Sequence, residues 1–177
     1  LNDYTPITQI TNAPNVLVVH PSLPVRSVKE LIALAQAQPG KINYASGGTG
    51  GAQHLFAALF QSMAKVSLTH IPYKGSGPGL LDLAAGRVDF FFDAIVSAGP
   101  LARDGRLRAL AVTSAQPSPL VPQLPTLASS GMPGYECVSV FGVLAPAGTS
   151  AAAVNALNQA ISVALDAPET KAKLTAA

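Results

Sequence analysis

The chain has 177 residues and a formal net charge of +2; 49% of its residues are apolar and only 11% are charged. The length fits one compact domain, alone or with an appended piece, and the composition excludes a disordered tail. The few basic residues form no single run, so a nucleic-acid partner is not expected. Cys137 is the only cysteine, which excludes an internal disulfide. No ligand set with zinc or iron–sulfur spacing is present, and we expect neither a metal nor a cofactor.

The first part of the chain predicts a buried strand and then a helix. Residues 15–19 are an apolar run that ends at His20-Pro21, which is typical of a central strand. Ser27 and Glu30 have the spacing of a capping box, and apolar residues then share one helical face up to Pro39. This helix is expected to cover the sheet.

The next segment predicts a strand, a glycine-rich turn and a helix. Residues 41–46 form the strand, Gly47-Gly48-Thr49-Gly50-Gly51 the turn, and apolar residues at helical spacing follow from Leu55. Such a turn directs helix N-terminal amides and the positive end of the helix dipole at one point, and glycines permit a close approach. The pattern therefore predicts a site for a small anion.

The same order of elements recurs along the chain. Residues 66–71 predict a strand, 72–79 a second glycine-rich loop and 80–85 a helix that Gly86 ends. Further strands are predicted at 88–92 and 107–113. This alternation indicates an α/β fold with a mostly parallel sheet covered by helices on both faces, whose ligands bind beyond the carboxyl ends of the strands.

The last third of the chain is less regular. Residues 116–125 carry three prolines and predict an extended surface loop. A final strand is predicted at 138–144, and apolar residues from Val154 to Leu165 predict a final helix.

The first glycine-rich turn does not match the nucleotide-binding fingerprints. A P-loop needs Lys followed by Ser or Thr after its glycines, and a dinucleotide fingerprint needs Gly or Ala where Gln53 stands. The hydroxyls of Ser46 and Thr49 could instead complete the hydrogen bonding of a carboxylate, although Ser46 could equally cap the helix. A tight connection without a ligand remains an alternative for the whole turn.

Other polar residues are predicted at the same edge of the sheet. Asp93 follows three phenylalanines at the end of a strand, where it could receive a ligand amine or hydroxyl, or cap a helix that begins at residues 94–97. Tyr73 and Lys74 lie on the second loop. No Gly-x-Ser-x-Gly motif is present, and His54 and His70 stand where structural histidines are common, so binding is favoured over catalysis.

With these residues in place, the chain resembles the solute-binding receptors of tripartite tricarboxylate transporters, the group named after the Bordetella uptake genes. The resemblance covers essentially the whole chain. The segments that carry it, in order, are Ala13-Pro14-Asn15-Val16-Leu17-Val18-Val19, Asn43-Tyr44-Ala45-Ser46 with its glycines and His54-Leu55, His70-Ile71-Pro72-Tyr73-Lys74-Gly75, Leu107-Arg108-Ala109-Leu110-Ala111-Val112-Thr113, Pro125-Thr126, Gly134-Tyr135, and Gly142-Val143-Leu144-Ala145-Pro146-Ala147-Gly148-Thr149.

The resemblance implies a periplasmic binding protein that closes two lobes over a small carboxylate and delivers it to membrane permease subunits. It identifies residues 1–148 as the second lobe of a type II periplasmic binding protein-like fold, with segments near 1–12 and 138–148 crossing between lobes. Residues 149–177 would be a helical segment that returns to the first lobe. The first residue is not Met, and with the first lobe missing the chain is interpreted as processed or truncated.

The resemblance also implies the site residues. The ligand carboxylate would meet Ser46, Thr49, Gly50 and Gly51, with Tyr73 nearby, whereas Asp93 and Ala94 would help to set selectivity. The family often has serine where this chain has Gly51, so one hydroxyl contact is lost here while the backbone amide remains.

Two alternative functions remain open at this point, as does the question of whether the chain self-associates. An effector-binding domain of a transcription regulator would use a similar two-lobed fold in the cytoplasm, and an acyl-transfer enzyme is a more distant alternative. Crossing strands and a missing lobe would leave apolar surface uncovered, which predicts that the chain self-associates.

Overall fold

The computed structural model describes residues 2–176, which form six strands and six helices. In chain order these are β1 (Tyr4–Val19), α1 (Val28–Ala37), β2 (Asn43–Ser46), α2 (Ala52–Ala64), β3 (Thr69–Pro72), α3 (Ser76–Ala84), β4 (Phe90–Ala94), α4 (Ile95–Arg103), β5 (Arg108–Val112), β6 (Val138–Pro146), α5 (Ala151–Asp166) and α6 (Pro168–Ala176).

The described residues fall into two compact units, which we treat separately. The central unit comprises Pro14–Ser139, and the terminal unit comprises Leu1–Ala13 and Val140–Ala177. The terminal unit contains α5 and α6, and its Asn158 Nδ2 donates a hydrogen bond to the Ile7 carbonyl at 2.7 Å. The division of the chain at residue 148 depends on a lobe outside this chain and stays a prediction.

The sheet has the strand order β3-β2-β4-β1-β5, and β6 pairs with β1. β2 pairs in parallel with both β3 and β4, whereas β1 runs antiparallel to β4 and β5. β2, β3, β4 and β5 therefore share one direction. The sheet is mostly parallel, as predicted, and β1, which lies between β4 and β5, runs against these four strands.

Helices cover both faces of the sheet, because successive side chains of a strand point to opposite sides. Phe90 and Phe92 pack in a cluster with α1 and α2, while Phe91 packs on the opposite face in a cluster with α3 and α4. All three rings are essentially inaccessible to solvent. The run of three phenylalanines in β4 thus fills two hydrophobic cores at once, which is typical of a strand that is buried on both faces.

The predicted start of α1 is confirmed. The Ser27 Oγ accepts the Glu30 amide at 3.2 Å, and a Glu30 carboxylate oxygen accepts the Arg26 amide at 2.6 Å. Glu30 therefore reaches one residue further back than a standard capping box requires, and still satisfies an amide ahead of the helix.

Among the boundaries of helices and strands, the start of α3 differs most from its prediction. The helix begins at Ser76 rather than near residue 80, so that Gly77, Pro78 and Gly79 form its first turn. Glycine and proline are poor helix formers, but first-turn amides need no partner inside the helix, and proline is tolerated there. A side chain at position 79 would also crowd the core, because a Cβ there would lie 3.1 Å from the Phe91 ring. The strand predicted at 66–71 is shorter and later, at Thr69–Pro72.

We expect Phe60→Ala to destabilise the central unit by about 3–5 kcal/mol, because the buried ring leaves a cavity that its neighbours fill only in part. Phe60 is fully buried, and its ring centroid lies 6.1 Å from that of Phe90 and 5.9 Å from that of Phe92. Urea unfolding measures the loss. Leu81→Ala, at a residue that is 63% exposed, is the control and should change stability by less than about 0.5 kcal/mol. Equal losses would contradict this assignment of the core.

Candidate functional site

One edge of the central sheet gathers most of the residues that the sequence singled out. Ser46 ends β2 beside Pro72 of β3, and Asn15 of β1 pairs with Ala94 of β4. The Asn15 amide donates to the Thr113 Oγ1 at 2.9 Å, which adds the end of β5 to the same edge. The predicted convergence of strand ends is therefore present in the central unit.

Three helices begin at this edge, and their first turns are the most distinctive feature of the site. α2 begins after Gly51, α3 after Gly75 and α4 after Ala94, and none of these three residues supplies a side-chain cap. Within the part of the chain that the structure describes, the amides of Ala52 and Gln53 donate to no acceptor. Uncapped first-turn amides together with the helix dipoles make this edge favourable for an anion.

The amides of the first glycine-rich turn are mostly used within the turn itself. The Gly48 amide donates to the Ser46 Oγ at 3.2 Å, the Gly50 amide to the His54 Nδ1 at 3.1 Å, and the Gly51 amide to the Gly48 carbonyl at 3.3 Å. Gly48 and Gly50 have φ angles of 144° and 81°, which favour glycine at both positions. The turn thus holds its own shape. Among the described residues of this segment, the amides without an acceptor are that of Thr49 and those at the start of the helix that follows.

Ser46 has an internal role in this structure. Its side chain is fully buried, and its Oγ lies 2.6 Å from the His70 Nε2. It does not cap α2, because the residue at the N-cap is Gly51. Thr49, by contrast, is exposed, and its hydroxyl has no hydrogen-bond partner among the described residues.

Tyr73 extends its phenol toward α3 rather than toward the glycine-rich turn. The Tyr73 hydroxyl donates to Asp82 Oδ2 at 2.8 Å, and Asp82 also forms an ion pair with Arg87. Burial and then the Asp82 carboxylate raise the pKa of Tyr73 to about 12, whereas the Tyr73 and Arg87 donors lower the pKa of Asp82. The backbone of Tyr73 still belongs to the site edge, since its amide donates to the Ser46 carbonyl at 2.9 Å.

Asp93 is buried and fully bonded, with 1% of its surface exposed. Its Oδ1 accepts the Gln53 Nε2 at 2.8 Å and its Oδ2 accepts the Ser97 Oγ at 2.6 Å. The helix-cap alternative is wrong in its detail, because the N-cap of α4 is Ala94 and Asp93 bonds a side-chain hydroxyl. Ala94 itself is half-buried at the start of that helix.

Gln53 forms hydrogen bonds to three separate segments at this edge, a role that the sequence alone did not reveal. Its Oε1 accepts the Gly47 amide at 2.9 Å, and its Nε2 donates to the Ser76 Oγ at 2.6 Å as well as to Asp93. In the sequence, Gln53 served only to exclude a dinucleotide fingerprint. A polar side chain in the first turn after a glycine-rich loop is the only signal that could have drawn attention to it.

His54 and His70 stack face to face beneath the turn, with ring centroids 4.2 Å apart. The Tyr44 ring lies nearly parallel to both, with its centroid 4.8 Å from that of His70 and 6.5 Å from that of His54. His54 accepts the Gly50 amide through Nδ1. The two rings therefore support the glycine-rich turn from below.

The Ser46–His70 contact has the spacing of a nucleophile and its base, but its surroundings do not suit acyl transfer. Ser46 is inaccessible to solvent, and no carboxylate among the described residues bonds His70 to orient it. Nor do the described residues hold a cluster of three or more His, Cys, Asp or Glu side chains placed to bind a metal. In residues 2–176, no helix combines the length and the apolar character needed to cross a membrane.

A cavity of about 620 Å³ lies elsewhere in the central unit, beside α4 and β5. Apolar residues such as Ile95, Leu107 and Leu124 line much of it, together with Arg103 and Arg108. The Arg108 guanidinium donates to backbone carbonyls, the shortest bond being 2.8 Å to Val25. One of its lining residues, Ile95, is the first residue of α4, which begins at the edge that carries the glycine-rich turns.

The fold and the helix N-termini at one sheet edge define the class of protein: one lobe of a periplasmic binding protein with a type II-like fold. The chain is similar to the solved structures of R. palustris Rpa4515 with adipate (42% identity, TM-score 0.88) and of MatC from Rhodopseudomonas palustris with bound malate (32% identity, TM-score 0.88). These alignments cover 98% and 97% of this chain and 58% of each neighbour. The periplasmic binding protein BugD is similar as well, with 30% identity and a TM-score of 0.86 over 97% of this chain and 57% of BugD.

The sequence comparison identifies the family. Residues 1–177 match the tripartite tricarboxylate transporter family receptor, and the chain belongs to this family. A protein encoded in the tcbD-tcbE intergenic region of Pseudomonas sp. strain P51 is 40% identical over 94% of this chain and 50% of its own length. The chain thus spans about half the length of this curated relative. These findings favour the receptor over the effector-binding domain of a regulator, and the family is one of solute-binding receptors rather than enzymes.

We expect the stability of the central unit to fall in mild acid because of His70. Burial, and then the neighbouring His54, lower the pKa of His70 from its usual 6.5. As the pH falls, the unfolded chain therefore binds the proton first, so stability is full above about pH 6.5 and declines as the pH approaches the lower folded pKa. Urea unfolding between about pH 8 and about pH 5 measures the decline.

His70→Gln should flatten this decline, because the variant has no group to titrate at that position. His20→Gln, which leaves the His54–His70 stack in place, is the matched control and should keep the wild-type decline. An undiminished decline in His70→Gln would assign the acid sensitivity to other groups.

Proposed function

We propose that the chain is the second lobe of a periplasmic solute receptor that captures a small carboxylate. The observation that carries the proposal is the convergence of three uncapped helix N-termini, those of α2, α3 and α4, on one edge of the central sheet. A carboxylate is the ordinary partner of such amides, because it accepts several hydrogen bonds and is attracted by the helix dipoles. Hydrogen bonds to a charged group contribute about 1.5–3 kcal/mol each, so two or three suffice for a moderate affinity.

The comparisons support a carboxylate as the ligand class. The neighbours at 42% and 32% identity were solved with adipate and with malate, both of which are dicarboxylates. In our proposal the backbone around Thr49, Gly50 and Gly51 and the first turn of α2 face one ligand carboxylate, and the Thr49 hydroxyl contributes from the exposed side of the turn. Ser46, Tyr73 and Asp93 form the framework of the site, and Ala94 bounds it at the start of α4.

The remaining parts of the proposal concern the whole receptor. Residues 149–177 would return to a first lobe that this chain does not contain, and the two lobes would close on the ligand. The loaded receptor would act in the periplasm and deliver its ligand to the membrane permease subunits of a tripartite tricarboxylate-type transporter. Family membership supports this coupling.

We expect calorimetric titration with adipate and malate to show binding, and Ala52→Pro to weaken it by about tenfold or more. The substitution removes one open amide at the first helical position, where proline fits the helix. The preceding Gly51 has φ −72° and ψ 167°, a conformation that a residue before proline adopts readily. The helix itself should therefore persist.

Ala151→Pro is the matched control for this experiment, because it places proline at the first position of α5 after Ser150, whose ψ is 144°. It should leave the affinity unchanged. No binding by the wild-type chain would contradict capture by this lobe alone, and equal affinities of wild type and Ala52→Pro would move the site away from the α2 N-terminus.

We also propose that the isolated chain self-associates through apolar residues of the terminal unit. Val140, Phe141 and Leu144 of β6 are 60%, 55% and 53% exposed. Sedimentation velocity over a wide concentration range should show association, and Phe141→Ser should weaken it because less apolar area is buried. Leu81→Ser, at an equally exposed position of α3, is the control. A monomer at all concentrations would rule the idea out.

A further inference from the structure

We propose that Gln53 is the positioning residue of the candidate site, where its single carboxamide fixes the three strand-to-helix connections relative to one another. The inference deepens the proposed function and rests on it, since the amides that Gln53 positions are those proposed to bind the carboxylate. Gln53 acts through the backbone and through Asp93, and needs no contact with the ligand.

The hydrogen bonds of Gln53 reach all three connections. Its Oε1 accepts the Gly47 amide of the β2–α2 turn at 2.9 Å. Its Nε2 donates to the Ser76 Oγ at the start of α3, at 2.6 Å, and to the Asp93 Oδ1 at the end of β4, at 2.8 Å. Each connection leads into one of the helices with uncapped N-termini, so one side chain controls where their donors point.

The carboxamide of Gln53 packs directly against the backbone of Gly47. A Cβ at Gly47 would lie 2.6 Å from the Gln53 Oε1, so the turn can take only glycine while Gln53 occupies its place. Gly75 lies directly against Gly47, since its amide donates to the Gly47 carbonyl at 3.0 Å. The two glycine-rich loops are therefore held together at the point that Gln53 supports.

The chemistry of Asp93 explains why an amide is needed at position 53. Asp93 is a buried carboxylate whose other oxygen already accepts the Ser97 hydroxyl, so Oδ1 requires a donor. Gly47 presents a donor and requires an acceptor. A neutral carboxamide supplies both from one planar group. A carboxylate at this position would satisfy Gly47 but would face Asp93 with a second negative charge.

This requirement gives a charge-exchange test. Gln53→Glu should weaken adipate binding by about tenfold or more, because two adjacent carboxylates push the connections apart. The double variant Gln53→Glu with Asp93→Asn restores the total charge and reverses the donor and the acceptor: the new amide donates to the new carboxylate and still accepts the Ser97 hydroxyl. Affinity should therefore return to within about threefold of wild type, a rescue that a merely bulky filler at position 53 would not produce.

Gln61→Glu is the matched control, because Gln61 lies on the same helix and bonds the Leu68 amide and the Tyr44 side chain. A carboxylate can accept both the Leu68 amide and the Tyr44 hydroxyl. It adds the same charge and should leave adipate affinity unchanged. Equal affinity of wild type and Gln53→Glu, or a double variant as weak as the single one, would overturn the proposal while leaving carboxylate capture intact.

If the wild-type chain binds neither adipate nor malate, the result counts against carboxylate capture by this lobe alone. Backbone hydrogen exchange then still tests the positioning role of Gln53. Gln53→Glu should speed exchange at the Gly47 and Gly75 amides by tenfold or more relative to Val18 in the core, and the double variant should reverse the change. Unchanged exchange at Gly47 and Gly75, or acceleration spread equally to Val18, would show that Gln53 does not position these connections.

Discussion

The candidate site depends on the buried carboxylate of Asp93. Asp93 is 1% exposed, and a carboxylate buried to this degree must be compensated. No Lys, Arg or His among the described residues pairs with it. Its compensation comes from neutral donors on two different helices, the Gln53 amide on α2 and the Ser97 hydroxyl on α4. Satisfying this one carboxylate therefore brings the beginnings of α2 and α4 to fixed places at the end of β4.

The same carboxylate accounts for the packing beneath it. Asp93 follows three phenylalanines whose rings fill both cores of the central unit, so the strand that carries the charge cannot move without disturbing either core. The polar network at the edge is in this way anchored to the most rigid part of the sheet. A site for a small anion benefits from such anchoring, because preorganised donors need little reordering when a ligand binds.

Much of the fold follows from local sequence patterns. The alternation of strands and helices, the capping of α1 by Ser27 and the glycine-rich turns at the strand ends are predictable, because each depends on residues close together in the chain. The opposite direction of β1 is not, since strand direction is decided by pairing between Leu17 and residues such as Phe92 and Ala111, far away in sequence. The early start of α3 is hidden for another reason: tertiary packing of Gly79 overrides a poor helix propensity.

The residues of the candidate site lie at one edge of the sheet, as their positions after the strands predict, whereas their hydrogen-bond partners were not predicted. The sequence identifies which residues reach the edge, but a side chain's partner there is set by distant elements. Ser46 points to His70, and Tyr73 points to Asp82 on α3, so two residues predicted as contacts have internal partners. Gln53 is the opposite case, a residue of this edge that was not predicted. Its three partners, Gly47, Ser76 and Asp93, come from three separate connections, and no local sequence motif indicates that they meet.

A consequence follows for how the proposed site would respond to its surroundings. Its donors are backbone amides and its framework is joined by a carboxamide and hydroxyls, none of which titrates near neutral pH. Capture of a carboxylate by such donors would therefore vary with pH only through the ligand and through groups that support the turn. Among these groups is His70, whose pKa is lowered by burial and then by the neighbouring His54, the residue that accepts the Gly50 amide. Acid would therefore act on His70, which stacks on His54 beneath the turn, rather than on the donors themselves.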